Sequence, residues 1–158
     1  MFKGSTILSH TIMVLLTVIV ITLLSITLYF IYTNSLRTGI QSDLLIITQK
    51  IGTEIIDLYS KSEISVPVGE SVVVGEKILK FSPLVRQHPY YIELINDSLN
   101  KDKFVVGEVR DLNINVSYSL FRIEANVSGR ARGGDVIIKY LRIGTQDGTK
   151  DLIIIKGK

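Results

Sequence analysis

Few side chains in this sequence could carry out chemistry. It contains two histidines, His10 and His88, and no cysteine. Thiol catalysis, disulfide bonds and metal sites built on cysteine are therefore excluded for this chain. The sequence also lacks the HExxH, GxSxG and P-loop patterns, which are typical of zinc proteases, serine hydrolases and nucleotide-binding proteins. We therefore expect no enzymatic activity and no cofactor.

A glycine- and arginine-rich stretch, residues 129–134, superficially resembles a phosphate-binding loop. It reads Gly-Arg-Ala-Arg-Gly-Gly and lacks the Lys-Ser/Thr pair that ends a P-loop. We predict a solvated loop here. The formal net charge of the chain is +3, with the charges scattered along the sequence, so we expect no nucleic-acid partner.

Three Asn-x-Ser sequons are the remaining polar motifs, and they begin at Asn96, Asn115 and Asn126. Sequons of this kind accept N-linked glycans at the surface of secreted proteins. Polar and apolar residues alternate around Asn115, which predicts an outward-facing strand position for it. We interpret the three asparagines as candidate glycosylation sites. The alternative is that they are ordinary polar residues of strands and turns.

The longest uniform feature of the chain is a charge-free stretch from Gly4 to Leu36, which contains no Asp, Glu, Lys or Arg. Its centre, Thr11 to Ile31, has about 21 residues and would be about 31 Å long as an α-helix, which matches the hydrocarbon core of a bilayer. The hydroxyls of its threonines and serines can bond to carbonyls of the same helix. The stretch predicts a membrane-spanning helix over residues 5–35.

The residues that precede this helix carry a second signal. The chain begins Met1-Phe2-Lys3-Gly4, whereas a secretory signal peptide places its small-residue cleavage site after a shorter apolar region. The order of charge, glycine and long apolar helix resembles the class III signal peptide of archaeal type IV pilin-like proteins. The resemblance implies that residues 1–4 are a leader. A prepilin peptidase would recognise Lys3-Gly4 and cut after Gly4, which leaves Ser5 as the new N-terminus.

The resemblance covers the N-terminal helix only, and two positions depart from the pattern. Many pilins carry Glu at the fifth position after the cut, where this chain has Ser9, and archaeal pilins often begin with Gln, where it has Ser5. An uncleaved signal anchor is the alternative interpretation. The F and G accessory proteins of the archaellum, which combine a similar helix with a β-sandwich, resemble the chain nearly as well.

The helical pattern continues beyond the apolar segment, over residues 36–62. Apolar residues recur there at intervals of three or four, as in a heptad repeat. They are Leu36, Ile40, Leu44, Ile47, Ile51, Ile55 and Leu58. Such a stripe must be buried. We expect it to pack on the chain's own C-terminal domain, with a coiled coil as the alternative. Gly39 and Gly52 have low helix propensity and would allow the helix to bend.

Residues 63–158 are typical of short strands. The clearest alternation of apolar and polar residues runs from Leu112 to Leu120, and its phase then switches, which predicts a bulge or bend near Leu120. Asp147-Gly148 predicts a hairpin turn. Upstream, we predict strands over residues 71–74 and 78–81, separated by a turn.

About seven short strands separated by turn signals indicate a β-sandwich or a curled sheet. The predicted fold class is therefore α+β, with a long N-terminal membrane-spanning helix followed by an antiparallel β-sandwich-like domain. The predicted organisation is a leader (1–4), a transmembrane helix (5–35), a helical extension (36–62) and a β-rich domain (63–158).

These features favour a structural subunit of an extracytoplasmic type IV pilus-like filament or pseudopilus, assembled through its N-terminal helix. The alternative is a membrane-anchored β-sandwich binding module, such as an archaellum stator or a cell-surface accessory protein. Expected partners are membrane lipid, a prepilin peptidase, and copies of the chain or other pilin-like subunits. We expect a single-pass protein with a cytoplasmic N-terminus and an outer C-terminal domain, and an extracellular filament after processing.

Overall fold

The computed structural model describes residues 3–61, 65–97, 102–121 and 123–158, and side chains from Ser9 onward. It contains one long helix, α1 (Lys3–Ser60). The helix ends inside the helical extension predicted over residues 36–62. The chain divides into two compact units, Met1–Thr38 and Gly39–Lys158. We call them the N-terminal and C-terminal units and describe each by itself.

The strands of the C-terminal unit follow α1 in chain order. They are β1 (Ser71–Lys80), β2 (Leu84–Val85), β3 (His88–Pro89), β4 (Tyr91–Asn96), β5 (Lys103–Val109), β6 (Ile114–Ser119), β7 (Asn126–Arg132), β8 (Asp135–Thr145) and β9 (Gly148–Gly157). A 3₁₀ helix, Arg110–Leu112, lies between β5 and β6. Seven strands form one sheet in the order β1-β8-β9-β7-β4-β5-β6, and β2 and β3 form a separate two-stranded ribbon. All neighbours pair antiparallel except β7 and β9, which are parallel.

The α+β class is confirmed by this architecture. In place of two stacked sheets, however, seven of the nine strands of the C-terminal unit join in one sheet, and only the short β2–β3 ribbon is separate from it. The C-terminal turns of α1 pack on that sheet, with the methyl group of Thr48 and the side chain of Leu44 close to Gly107 on β5. A helix that covers the apolar face of a sheet buries both, so a second sheet is not needed.

The predicted apolar stripe supplies the helix side of this core. Ile40, Leu44, Ile51 and Ile55 are completely buried, and Leu36, Ile47 and Leu58 are half-buried. Buried residues of the sheet, such as Val105, Ile138 and Tyr140, face the stripe positions of the C-terminal unit. The stripe positions of the C-terminal unit therefore pack within the chain, as expected, and do not form a coiled coil.

The turn predicted at residues 75–77 is wrong. Strand β1 continues from Ser71 to Lys80, and its register against β8 shifts between Val73 and Gly75. This bulge absorbs the glycine without ending the strand. The side chain of Leu58 on α1 approaches Gly75 closely, so this position packs against the helix.

The loop predicted over residues 129–134 is wrong for its first four residues, because β7 extends to Arg132, and only residues 133–134 connect β7 to β8. Val127 and Ala131 are buried on one side of the strand, and the arginines between and after them alternate with these positions. Gly129 adopts a positive φ of 110°, and a Cβ atom there would lie 2.2 Å from the carbonyl oxygen of Ile155. Glycine is required at this point by the close approach of the paired strand rather than by a loop.

The strand predicted from Leu112 to Leu120 is shorter in the structure. Asn113 takes a left-handed conformation, with φ 51°, so strand β6 begins only at Ile114. Of the bulge or bend expected near Leu120, the structure has the bend: β6 ends at Ser119, Leu120 is buried, and Phe121 is 70% exposed in a turn. The alternation of apolar and polar residues changes phase here because strand β6 ends and a turn begins.

Candidate functional site

The described part of the N-terminal unit is a helix with an apolar surface on all sides. Its large apolar side chains between Ile12 and Tyr32 are 45–71% exposed. This surface is far larger than the apolar patches that monomeric soluble proteins leave open, and such surfaces mark contacts with protein or membrane.

The polar side chains of this helix are turned back onto its own backbone. The hydroxyls of Thr17, Thr22 and Ser25 donate to carbonyl oxygens four residues earlier, over 2.8, 2.8 and 2.9 Å. Thr27 and Thr33 do the same over 2.9 and 3.1 Å. These bonds confirm the expectation drawn from the sequence. They satisfy the hydroxyls without water, as an apolar environment requires.

Within the described residues, one helix is long and apolar enough to cross a membrane. The candidate span covers Ser9–Ser60, lies near the N-terminus, and is identified by length and composition. Lys3, Gly4 and Ser5, the predicted processing residues, fall in the first turn of α1, and their side chains lie outside the described residues.

In the C-terminal unit, one exposed arc of α1 carries no charge. Ser42, Leu45, Ile46, Gln49, Thr53, Ile56 and Ser60 are all exposed. At 100° per residue they occupy an arc of about 100° of the helix circumference. We call these seven residues the neutral face. Ile46 is 61% exposed and Leu45 is 39% exposed.

The charged residues of this part of the helix lie beside the neutral face and interact with the chain itself. Asp43 accepts a hydrogen bond from Nε of Arg86 over 2.9 Å, and Glu54 pairs with Lys77 on β1. The ammonium group of Lys50 lies 5.6 Å from the centre of the Phe81 ring. An ordinary surface helix presents its charges to solvent, whereas a helix that presents an uncharged side is suited to packing against another helix.

The sequence reasoning missed the neutral face because it followed only the stripe that the chain itself buries. A usable signal was nevertheless present, since seven positions on one side of the helix carry neither Asp, Glu, Lys nor Arg. An amphipathic helix with one partner should show charges on that side.

The three sequons occupy different environments. The side chain of Asn96 bridges to β7, because its Nδ2 donates to the carbonyl of Val127 over 2.6 Å and its Oδ1 accepts from the Val127 amide over 3.3 Å. Asn115 and Asn126 are exposed on β6 and β7. All three asparagines are exposed, and Asn96 differs from the other two in that its amide is hydrogen-bonded to the backbone of β7.

A polar contact between His88 and Asp111 holds the β2–β3 ribbon. Nδ1 of His88 lies 2.6 Å from a carboxylate oxygen of Asp111 in the 3₁₀ helix. This hydrogen bond lowers the pKa of Asp111 below its ordinary range. Among the described residues, no group of three His, Cys, Asp or Glu side chains is placed to hold a metal ion.

No protein-family model matches the chain. No curated protein and no solved structure matches it either. The functional interpretation therefore depends on the residues and their geometry.

Proposed function

We propose that the chain is a structural subunit of an extracytoplasmic type IV pilus-like filament or pseudopilus, assembled through its N-terminal helix. The observation that carries the proposal is the pair of uncharged helix surfaces. One is the exposed apolar surface between Ile12 and Tyr32, and the other is the neutral face of the C-terminal unit. Both are suited to burial against other helices.

In this proposal the apolar surface between Ile12 and Tyr32 is buried in two successive environments. Before assembly, lipid covers it, because its length and its internally bonded hydroxyls match a bilayer core. After assembly, the helices of other subunits cover it. In both states the same side chains are removed from water, so transfer from one environment to the other has a small net cost in apolar exposure.

The second surface extends the contact between subunits beyond the membrane. The helix packs its buried stripe on the sheet and keeps the neutral face for a neighbouring subunit. Leader removal by a prepilin peptidase, with the cut after Gly4, belongs to this proposal. So do a cytoplasmic N-terminus and an outer C-terminal unit.

The test places a charge on the neutral face. Ile46→Lys is compared with Ile78→Lys, a matched substitution at an isoleucine of β1 that is 50% exposed, against 61% for Ile46. Surface filaments are sheared from the native host, pelleted and probed for the subunit. We expect Ile46→Lys to abolish filaments and Ile78→Lys to leave them near the wild-type amount, with both proteins accumulating in the membrane. Wild-type filament yield from Ile46→Lys would contradict the assigned contact.

The second candidate function is a permanently anchored module. It is favoured by Ser9, which stands where many pilins carry Glu, because a chain without that carboxylate lacks one contact to a neighbouring N-terminus. In that case the wild-type chain stays in the membrane fraction, and its deletion leaves the surface filaments of the host unchanged.

A further inference from the structure

A small pocket lies on the face of the sheet opposite to α1. It has a volume of about 200 Å³ and is lined by side chains from strands β4, β5, β6 and β7. The strand register brings these residues together in rows. Tyr91 is opposite Glu108, which is opposite Asn115, and in the next row Arg130 is opposite Glu93. Residues distant in the sequence therefore form one site.

One wall of the pocket is held rigid by its own contacts. The guanidinium groups of Arg110 and Arg130 lie 4.9 and 4.6 Å from the centre of the Tyr91 ring. Both arginines also donate to the same carboxylate oxygen of Glu108, over 3.1 and 3.0 Å. Each arginine is thus fixed by an aromatic ring and a carboxylate, and the wall is ordered before any ligand binds.

The opposite side of the pocket has polar groups with spare capacity. Within the described ranges, the carboxylate of Glu93 and the amide of Asn115 make no hydrogen bond or ion pair with protein. Ile95 and Val106 supply apolar surface between them. The pocket therefore combines a free acceptor, a free amide, a fixed guanidinium and an apolar surface.

These properties define the chemistry of a ligand. The lining carries two negative charges, on Glu93 and Glu108, and one positive charge, on Arg130. Arg110 lies beside the lining and pairs with Glu108, so the four charges cancel and the site does not select for an anion or a cation. A volume of about 200 Å³ lies below the range of about 300–1,000 Å³ that is usual for drug-sized ligands. A small, neutral ligand with several hydroxyl groups and one apolar side satisfies all of these conditions.

We propose that this pocket binds one sugar ring. Hydroxyls on different edges of the ring would donate to Glu93 and to Oδ1 of Asn115 and accept from Arg130, and the C–H side of the ring would rest on Ile95 and Val106. The ring has two sources: a separate surface polysaccharide, which meets the free Asn115 amide, or a later sugar of a glycan attached to Asn115, whose sequon is completed by Ser117. In the second case Nδ2 of Asn115 carries the glycan, and only its Oδ1 is left to accept a hydrogen bond. The inference rests on the proposed function only for the outer location of the domain.

The test uses the full chain, produced in a host without N-glycosylation and kept in a detergent that has no sugar headgroup. Glucose, galactose, mannose and N-acetylglucosamine are titrated, and binding is followed by saturation-transfer NMR. We expect saturable binding of at least one sugar, weakened tenfold or more by Glu93→Gln. The control is Glu76→Gln, which alters an exposed carboxylate of β1 that pairs with Lys139 and should leave binding unchanged.

Mass spectrometry of the Asn115 peptide from the native host identifies the source of the sugar. A glycan at Asn115 assigns the pocket to the chain's own sugar, and its absence assigns it to a separate polysaccharide. Ser117→Ala keeps the Asn115 amide but destroys the sequon, so it should preserve binding of free sugar. Absence of saturable binding by all four sugars, or binding that Glu93→Gln does not change, overturns the inference. Filament yield is scored separately, so a chain that assembles but binds no sugar refutes only this site.

Discussion

The ring of Tyr118 on β6 lies directly against the backbone of α1 at Gly52. A Cβ atom at residue 52 would be 2.3 Å from Cδ1 of Tyr118. Gly52 is buried within the helix, which continues through it to Ser60. The absence of a side chain at Gly52 therefore leaves room for the Tyr118 ring, and the glycine does not end the helix.

Substitution of this glycine should destabilise the chain. In Gly52→Ala the new methyl group collides with the Tyr118 ring, and overpacking of this kind costs about 1–3 kcal/mol. Alanine regains up to about 1 kcal/mol of helix propensity. We expect a net loss of about 1–2 kcal/mol in the free energy of unfolding, measured by chemical denaturation of the full chain in detergent.

Gly39→Ala is the matched control for this prediction. A Cβ atom at residue 39 would meet the guanidinium group of Arg86, which is the flexible end of a long side chain and can move away. Because the gain in helix propensity applies at residue 39 as well, we expect Gly39→Ala to have the stability of wild type or up to about 1 kcal/mol more. If both variants lose the same stability, the assigned packing of the Tyr118 ring against Gly52 is wrong.

Two isoleucines on the same helix should behave in opposite ways. Ile51 is completely buried, whereas Ile46 is 61% exposed. Ile51→Ala should lower the free energy of unfolding by about 2–5 kcal/mol, because it leaves a cavity in the core. Ile46→Ala should change it by less than about 0.5 kcal/mol and should nevertheless reduce filament yield. A large loss of stability in Ile46→Ala would mean that the neutral face is part of the internal core.

The contact between His88 and Asp111 should make stability depend on pH on the acid side. The hydrogen bond from His88 lowers the pKa of Asp111, so the folded state binds this proton less tightly than the unfolded state does. The contribution is therefore complete well above the ordinary aspartate pKa of about 3.9 and is lost as the pH falls below it.

Thermal unfolding of wild type and Asp111→Asn measures this effect. We expect wild type to have the higher Tm at a pH of about 6, and we expect the difference to shrink towards a pH of about 2, where Asp111 is protonated. Equal Tm values at the higher pH would show that the contact does not stabilise the folded chain.

The environments of the sequons predict which asparagines carry glycans. All three asparagines are exposed, but only the Asn96 amide is hydrogen-bonded to both backbone groups of Val127. In a host that glycosylates this protein, peptide mass spectrometry should find glycan at Asn115 or Asn126 and an unmodified Asn96. Full occupancy at Asn96, together with bare Asn115 and Asn126, would contradict this assignment.

The elements with strong periodicity could be predicted from the sequence. The charge-free run and the stripe that includes Ile51 and Ile55 are repeated over many turns, so the helix and its buried side follow from local pattern alone. The α+β class follows from the change of period after the helix. Each of these depends on residues close together in the chain.

The features that the sequence did not predict depend on long-range pairing. Gly75 and Gly129 are typical of turns, but partner strands keep both within β-strands. The pocket at Tyr91 and Arg130 exists only because the strand register aligns β4 with β7. Strand order and register are set by tertiary burial, which propensity and spacing along one chain do not reveal.

The N-terminus of the native protein tests the central claim most directly. Sheared surface filaments and membranes from the native host are collected separately, and the subunit in each is sequenced from its N-terminus, for wild type and for Gly4→Val. The account predicts that wild-type filaments contain a chain that begins at Ser5, and that Gly4→Val is confined to the membrane with Met1 intact. A wild-type chain that begins at Met1, occurs only in the membrane and is unaffected by Gly4→Val would contradict it.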